Sequence, residues 1–319
     1  MISVVIPIFN EEETLPELLR RTTTALDATG RPWELLFVDD GSRDRSADLL
    51  RAAHATDPRI KLITLSRNFG HQPAITAGVH HARGDAVILI DGDLQDPPEL
   101  IPELVTKWSE GTQVVLAQRR TRAAERGARG IGFRLFYPLL RRVSDLPSAP
   151  DAGIFGLMDR TVVDHFNKFP ERNRFIPGLR QWLGFRQAAV EYDRLPRAAG
   201  EPKQTLGRLV KYAMDGMVSF GYRPLRVATW FGFACAAVGF VIALFFIARR
   251  IFFKDPAVTG FTTLLTMMMF IGGIQLITIG ILGEYTGRIY EEVKQRPLYV
   301  VAETLGLSPD TQPRSGDKS

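Results

Sequence analysis

The chain has 319 residues, of which 45% are hydrophobic and 24% are charged, and this composition excludes a disordered or collagen-like protein. Its one cysteine, Cys235, excludes an intramolecular disulfide framework and a cysteine-rich zinc site. The net charge is +5, but the first hundred residues are acidic and the segment from 101 to 223 is basic. This asymmetry indicates a carboxylate-rich site beside an anion-binding surface, with nucleic acid, a membrane or a phosphorylated substrate as candidate anions.

Short β-rich runs alternate with helix-like stretches over the first 120 residues. The runs are Ile2–Ile8, Trp33–Asp39, Ile60–Leu65, Ala86–Asp91 and Gln113–Gln118. In the first stretch between them, one helical face carries Leu15, Leu18, Leu19, Thr22 and Leu26. The alternation predicts an α/β fold, with a Rossmann-like, mostly parallel sheet covered by helices on both faces. Ligands of such sheets bind beyond the carboxyl ends of the strands.

Polar residues follow three of these strands, where ligands are expected. They are Asn10-Glu11-Glu12, Asp39-Asp40-Gly41-Ser42 and Asp91-Gly92-Asp93. Asp39 and Asp40 are either a helix N-cap or contacts of a nucleotide base and ribose. Asp91 and Asp93 are either a solvated turn or ligands of Mg²⁺ or Mn²⁺, which bind few carboxylates together with phosphate oxygens. The chain has neither a GxGxxG motif nor a Walker loop, which weakens dehydrogenase and NTPase interpretations.

Two uncharged apolar stretches lie near the C-terminus, at residues 227–248 and 260–283. Each could cross a hydrocarbon core of about 30 Å at about 1.5 Å per residue. The alternative is a pair of buried core helices, but both stretches exceed the length typical of these. They predict a two-helix transmembrane hairpin. Basic residues on its outer flanks outnumber those in its loop, which predicts both termini in the cytoplasm. No basic segment precedes the first apolar run, so no signal peptide is expected.

These patterns predict four regions. Residues 1–203 form the α/β domain, and 204–226 form an interfacial juxtamembrane helix. Residues 227–283 form the transmembrane hairpin. Residues 284–319 form a cytoplasmic segment that ends in a disordered tail.

A cluster of arginines follows the fifth predicted strand, interleaved with Phe133, Phe136 and Tyr137. It comprises Arg119, Arg120, Arg122, Arg126, Arg129, Arg134, Arg141 and Arg142. One interpretation is a solvated helical face. The other is attraction to anionic lipid headgroups and a lipid phosphate, which would bring the site close to a membrane surface.

Several ordered motifs resemble family 2 glycosyltransferases of the GT-A fold. The similarity is greatest to the polyprenyl-phosphate glycosyltransferases, which include bacterial undecaprenyl-phosphate glucosyltransferases and dolichol-phosphate mannose synthases. It extends over roughly residues 2–300. The motifs that carry it are Val4–Glu12, Val38–Asp44, Ser66–Gln72, Asp91–Glu99, Glu171–Phe175, Trp182–Phe185 and Gly283–Tyr290.

The resemblance implies a role for each matching residue. Pro7 and Glu11 would border the nucleotide pocket, and Asp39 and Asp40 would contact the base and ribose. Asp91 and Asp93 would hold the diphosphate through a divalent metal, Mg²⁺ or Mn²⁺, with Asp93 the more direct ligand. Gln95 and Asp96 would lie near the donor sugar, and Asp151 matches a proposed catalytic base. The acceptor phosphate or the membrane would contact Arg119, Arg120, Arg122, Arg126, Arg172, Arg174 and Lys203.

The sequence departs from the family pattern at three places. Gly156 and Pro177 stand where relatives often carry arginine, and Glu201–Gln204 replaces a Ser-Lys-Tyr-like run. These departures leave the identity of the sugar open. They also leave open whether an arginine contacts substrate at those positions.

The expected reaction is inverting transfer of one sugar from a nucleotide sugar to undecaprenyl phosphate at the cytoplasmic face of a bacterial inner membrane. UDP-glucose is the first donor candidate, followed by GDP-mannose and other UDP-sugars. A processive polysaccharide synthase is a second candidate, but the chain lacks the Gln-x-x-Arg-Trp motif and the additional membrane helices of that class. A non-enzymatic flippase subunit or scaffold is a third. The resemblance further implies a homo-oligomer, with a tetramer as one form, and no nucleic-acid partner.

Overall fold

The computed structural model describes residues 1–120, 152–172, 174–193, 223–253 and 260–307. The predicted base Asp151, the predicted interfacial segment up to residue 222 and the tail beyond residue 307 lie outside these ranges. The described chain forms two compact units. The first unit contains the residues up to 193 together with 296–307. The second contains 223–253 and 260–295.

One eight-stranded sheet organises the first unit, in the order β7-β5-β6-β4-β1-β2-β3-β8. Its strands are β1 (Ile2–Ile8), β2 (Trp33–Asp39), β3 (Ile60–Leu65), β4 (Ala86–Leu89), β5 (Val114–Arg119), β6 (Ala152–Asp159), β7 (Gln187–Tyr192) and β8 (Val301–Leu305). Strands β1 to β4 pair in parallel, as do β5 and β7. β6 runs antiparallel to β4 and β5, and β8 runs antiparallel to β3. The mostly parallel α/β fold predicted from the sequence is confirmed.

The helices of this unit connect the strands. They are α1 (Leu15–Asp27), α2 (Ser46–Thr56), α3 (His71–His81), α4 (Ile101–Ser109), α5 (Arg160–Asn167) and α6 (Ile176–Trp182). In α1 the predicted apolar face is buried through Leu15, Leu18, Thr22 and Leu26. Every residue of β1 and β2 is buried, as expected for parallel strands with both faces covered.

Pro7 lies within the central strand β1, where a proline would ordinarily remove a ladder hydrogen bond. The pairing of β1 with β4 ends at Val5, two residues earlier, so Pro7 is opposite a strand only on the β2 side, at Val38. The proline therefore sits where β1 starts to leave the sheet. It marks the beginning of the polar loop that contains Asn10 and Glu11.

The second unit contains α7 (Arg223–Phe253) and α8 (Phe261–Lys294), of 31 and 34 residues. Among the described residues, one stretch, Met267–Lys294, is long and apolar enough to cross a membrane, with a mean hydropathy of 1.6. In α7 the apolar stretch found is shorter, Gly232–Ile242. The two-span hairpin predicted from the sequence therefore stays a prediction.

Candidate active site

The loop after β4 carries the two aspartates predicted to bind metal. Asp91 Oδ1 lies 3.0 Å from Nε2 of His71, and Asp93 Oδ1 accepts a hydrogen bond of 3.1 Å from the backbone of Gln95. Between them, Gly92 packs against the end of β1. A Cβ at residue 92 would lie 3.1 Å from the Pro7 carbonyl oxygen and 3.2 Å from the Ile8 side chain. Close packing of Gly92 against the end of β1 thus fixes the positions of the Asp91 and Asp93 backbone beyond the carboxyl ends of the strands.

His71 begins α3 and faces several acidic side chains. Partial burial would lower the pKa of His71, but the hydrogen bond to Asp91 and the charges of Asp91, Asp40 and Asp93 raise it above its ordinary value. His71 lies in the motif Ser66–Gln72, but the sequence alone predicts no contact for its side chain. The bond to Asp91 is the contact that sequence reasoning missed.

Asp39 ends β2 and Asp40 follows it, and both are buried. Asp39 Oδ1 accepts from the backbone N–H of Ser42 at 2.9 Å. Asp40 accepts from the backbone N–H groups of Phe69 at 2.7 Å and Gly70 at 2.9 Å. Burial raises the pKa of Asp40 above its ordinary value, although these two bonds oppose the shift. Asp40 therefore organises the loop between β3 and α3, and its expected contact with base and ribose stays a prediction.

The loops after β1 and β2 are joined by hydrogen bonds. Asn10 has a positive φ of 56°; its backbone N–H donates to Ser42 Oγ, and its side-chain oxygen accepts from the backbone of Arg43. The backbone N–H of Glu11 donates to Ser46 Oγ at 3.0 Å. Glu11 also accepts from the hydroxyl of Thr14 at 2.9 Å. These bonds hold Glu11 beside the first turn of α2, at the same edge of the sheet as Asp39.

Asp96 and Tyr192, both buried, form a cluster with the half-buried Arg119, and the three residues come from separate parts of the chain. Tyr192 donates to Asp96 Oδ1, and Arg119 lies 3.2 Å from the Tyr192 hydroxyl and 3.7 Å from Asp96. Burial and the bond to Asp96 raise the pKa of Tyr192 well above its ordinary value, so its hydroxyl stays protonated. Burial lowers the pKa of Arg119, but Tyr192, Asp96 and Asp91 outweigh it and raise it overall. Arg119 thus lies at the carboxyl end of β5, close to Asp96 and Asp91.

The other predicted acceptor-binding cations have different surroundings. Arg120 pairs with Glu191 at 3.3 Å and Asp193 at 3.8 Å on the surface. Arg174 is buried and donates to the backbone carbonyls of Glu171 and Phe169. Arg172 is partly exposed. Outside the described residues lie Arg122, Arg126 and Lys203.

Arg180 was not singled out by the sequence, yet it is almost fully buried in α6. It donates to the backbone carbonyls of Gly153 and Ile154 at the start of β6, and burial lowers its pKa to about 10. A Cβ at Gly156 would lie 3.0 Å from this guanidinium and 2.6 Å from the Val115 carbonyl oxygen. The space beside Gly156 is therefore filled by an arginine from elsewhere in the chain.

The carboxylate oxygens of Asp91 and Asp93 are the type of ligand that a hard divalent cation prefers. The described residues contain no group of three or more His, Cys, Asp or Glu side chains that could hold a metal by themselves. Asp91 and Asp93 supply two carboxylates, which matches the habit of Mg²⁺ to use one or two carboxylates plus substrate phosphates. The residues present fit a metal that binds together with a diphosphate.

Comparison with known protein families assigns this architecture. Residues 3–166 match glycosyl transferase family 2, and residues 223–289 match the GtrB C-terminal hairpin. The chain belongs to glycosyl transferase family 2. It is a glycosyltransferase, and its first unit has the GT-A fold expected from the sequence.

Relatives match over almost the whole chain. A glycosyltransferase named YkcC from Bacillus subtilis (strain 168) is 44% identical over 96% of this chain and 94% of its own length. The bactoprenol glucosyl transferase of Shigella phage SfII is 40% identical over 95% of this chain and 98% of its own length. Among solved structures, the mannosyltransferase PcManGT from Pyrobaculum calidifontis, in complex with GDP-Man and Mn²⁺, has a TM-score of 0.43 and 16% identity. That similarity covers 87% of this chain and 86% of the other.

Proposed function

We propose that this protein transfers one sugar from a nucleotide sugar to a polyprenyl phosphate, with undecaprenyl phosphate as acceptor and UDP-glucose as first donor candidate. The observation that carries the proposal is near full-length similarity, at 40% identity, to bactoprenol glucosyl transferases of Shigella phages and Shigella flexneri. The match to the GtrB hairpin extends this similarity beyond the catalytic unit. GDP-mannose and other UDP-sugars are the alternative donors.

Asp91 and Asp93 would hold a divalent metal together with the donor diphosphate. When bound, such a metal supplies positive charge that offsets the charge developing on the leaving nucleoside diphosphate. Pro7, Glu11 and Asp39 lie at the same edge of the sheet and would border the nucleotide. The proposal assigns Gln95 and Asp96 to the side of the donor sugar.

The acceptor places little demand on a catalytic base. A phosphate monoester has a second pKa near 6, so at neutral pH its oxygens are already largely anionic. Positioning of the attacking oxygen is then the larger requirement. Arg119 is suited to it, because Asp96 and Tyr192 fix the guanidinium and its fork geometry matches a phosphate. Direct attack of this oxygen on the sugar carbon would invert the anomeric centre, with Asp151 left to orient the acceptor or to stabilise charge on the sugar.

The path of the chain supports a hairpin that returns to its starting side. Strand β8 follows α8 in the chain, yet it pairs with β3 in the same sheet as the N-terminal strands. One folded sheet cannot lie on both sides of a bilayer, so the chain between residues 193 and 296 crosses an even number of times. If α8 spans the membrane, a second segment must cross as well, and α7 is the other long helix among the described residues. Together with the flanking basic residues, this supports a cytoplasmic catalytic unit.

The proposal is tested by transfer of labelled sugar to undecaprenyl phosphate by the purified full chain. The donors are a panel of UDP- and GDP-sugars, each with Mg²⁺, Mn²⁺ or EDTA. We expect metal-dependent label in the lipid fraction from one donor, lost in Asp93→Ala and retained in the surface control Asp164→Ala. Folded protein that labels no lipid with any donor would contradict the proposal.

A further inference from the structure

The position of His71 is fixed by the neighbouring loops. Gly70, with a φ of +102°, immediately precedes α3, and its backbone N–H is bound by Asp40 Oδ2. Phe69 N–H is bound by the other Asp40 oxygen at 2.7 Å. A buried carboxylate at the end of β2 therefore sets where α3 begins and where the His71 ring lies.

The ring in turn reaches the loop after β4. Nε2 of His71 lies 3.0 Å from Asp91 Oδ1, a normal distance for a donated N–H···O bond to a carboxylate. The connected path runs from Asp40 through the loop at 69–70 and His71 to Asp91. It joins the ends of three parallel strands at one edge of the sheet.

We propose that His71 is a positioning residue for the metal site, holding the Asp91 carboxylate in the orientation in which it binds the divalent cation. The inference rests on the proposed use of Asp91 and Asp93 as metal ligands. An aspartate side chain has two rotatable bonds, and a hydrogen bond to one oxygen restricts both. Loss of a residue that holds a metal ligand in place by a hydrogen bond typically weakens metal affinity by about 10- to 100-fold.

The experiment measures binding of Mn²⁺ to the full chain in detergent by equilibrium dialysis, with the same concentration of UDP or GDP on both sides, because two carboxylates fit a metal that binds together with a diphosphate. We compare wild type with His71→Ala, His71→Gln and His165→Ala. His165 lies on α5 and bonds its own helix at Thr161, so it is a matched histidine control. We expect His71→Ala to weaken Mn²⁺ binding by about 10- to 100-fold. His71→Gln, which retains a side-chain N–H donor, should recover most of that loss, and His165→Ala should bind as wild type does.

Pulsed electron paramagnetic resonance measurements on bound Mn²⁺ separate positioning from direct ligation. A positioning role predicts no directly coupled ring nitrogen in wild type. Coupled nitrogen that disappears in His71→Ala would overturn the proposal, because His71 would then be a ligand. Unchanged Mn²⁺ affinity in His71→Ala would overturn it as well, as would wild type that binds no Mn²⁺. Sugar transfer is measured on the same samples. If His71→Ala weakens Mn²⁺ binding but wild type transfers no sugar, the inference about His71 is upheld and the proposed function is contradicted.

Discussion

At the scale of single residues, the missing side chain of Gly92 lets the loop that carries Asp91 and Asp93 pack closely against β1. The Pro7 carbonyl oxygen, 3.1 Å from a Cβ at residue 92, belongs to the central strand and has little freedom to move. Gly92→Ala should therefore displace the loop that carries Asp91 and Asp93, and displacements near 1 Å reduce rates by about a hundredfold. We expect a comparable loss in kcat/KM for sugar transfer. Gly232→Ala, where a Cβ meets nothing within 4 Å, is the control, and equal activity of both variants would refute this role.

Glu34 lies near the amino end of β2, at the end of the strands opposite to Asp91 and Asp93. Its buried carboxylate accepts from Ser3 in β1, from Lys61 in β3 at 2.6 Å and from the backbone of Arg83 at 2.7 Å. Burial would raise the pKa of Glu34, but these bonds lower it below its ordinary value of 4.5. A lowered pKa means that the carboxylate stabilises the folded state above its unfolded pKa and loses this effect as the pH falls through the folded pKa.

Glu34→Gln should therefore destabilise the protein at pH 7 by about 1.5–3 kcal/mol, the range for hydrogen bonds to charged groups. Thermal unfolding in detergent measures this, at about 2–4 °C per kcal/mol for a unit of this size. The difference from wild type should shrink as the pH falls from about 4.5, where the carboxylate of the unfolded chain binds protons, down through the lower pKa of the folded state. Exposed Glu13→Gln serves as control. A difference that stays constant from pH 7 to pH 4 would show that charge on Glu34 is not the cause.

At the scale of elements, strand β8 forms one margin of the sheet although it follows α7 and α8 in the chain. It covers the edge of β3, packs Leu305 against the core and pairs Glu303 with Arg51 at 2.7 Å. Just before it, the hydroxyl of Tyr299 lies 2.9 Å from Nδ1 of His80. Burial raises the pKa of Tyr299 to about 12 and lowers that of His80 to about 4, so both groups are neutral at pH 7.

Removing β8 should therefore destabilise the first unit. A chain that ends at residue 297 should melt several degrees lower than wild type, because β3 becomes an exposed edge and apolar contacts are lost. A chain that ends at residue 307 keeps the strand and is the matched control. Equal melting temperatures of the two truncated chains would show that β8 adds nothing to stability.

The elements differ in how far the sequence predicts them. Strands β1 to β5 were predicted within one or two residues because parallel, buried strands read as continuous apolar runs. β6, β7 and β8 were not predicted. The sequences of β7 and β8, QAAVEY and VAETL, mix polar and apolar residues at the sheet margins. The aspartates at the strand ends were found from the predicted topology. Tyr192 and the His71–Asp91 contact were not, because each depends on segments brought together only by the folded sheet.

At the scale of the whole molecule, the proposed membrane topology rests on the return of the chain to the sheet at β8. In a Cys235→Ala background, Gly260→Cys lies at the start of α8, and Ala302→Cys lies in β8. We expect a membrane-impermeant thiol reagent on intact cells to label Gly260→Cys and not Ala302→Cys. Disrupted cells should allow labelling of both. Labelling of neither variant in intact cells would contradict a spanning hairpin.

The central claim is that a single sugar is joined to a lipid phosphate. Its most direct measurement is the mass of undecaprenyl phosphate after incubation with the purified chain, Mn²⁺ and the donor that labels lipid. The account predicts a new species heavier by one hexose residue, formed together with free nucleoside diphosphate and absent with Asp93→Ala. Nucleoside diphosphate released with unchanged lipid mass, or a ladder of several added sugars, would contradict it.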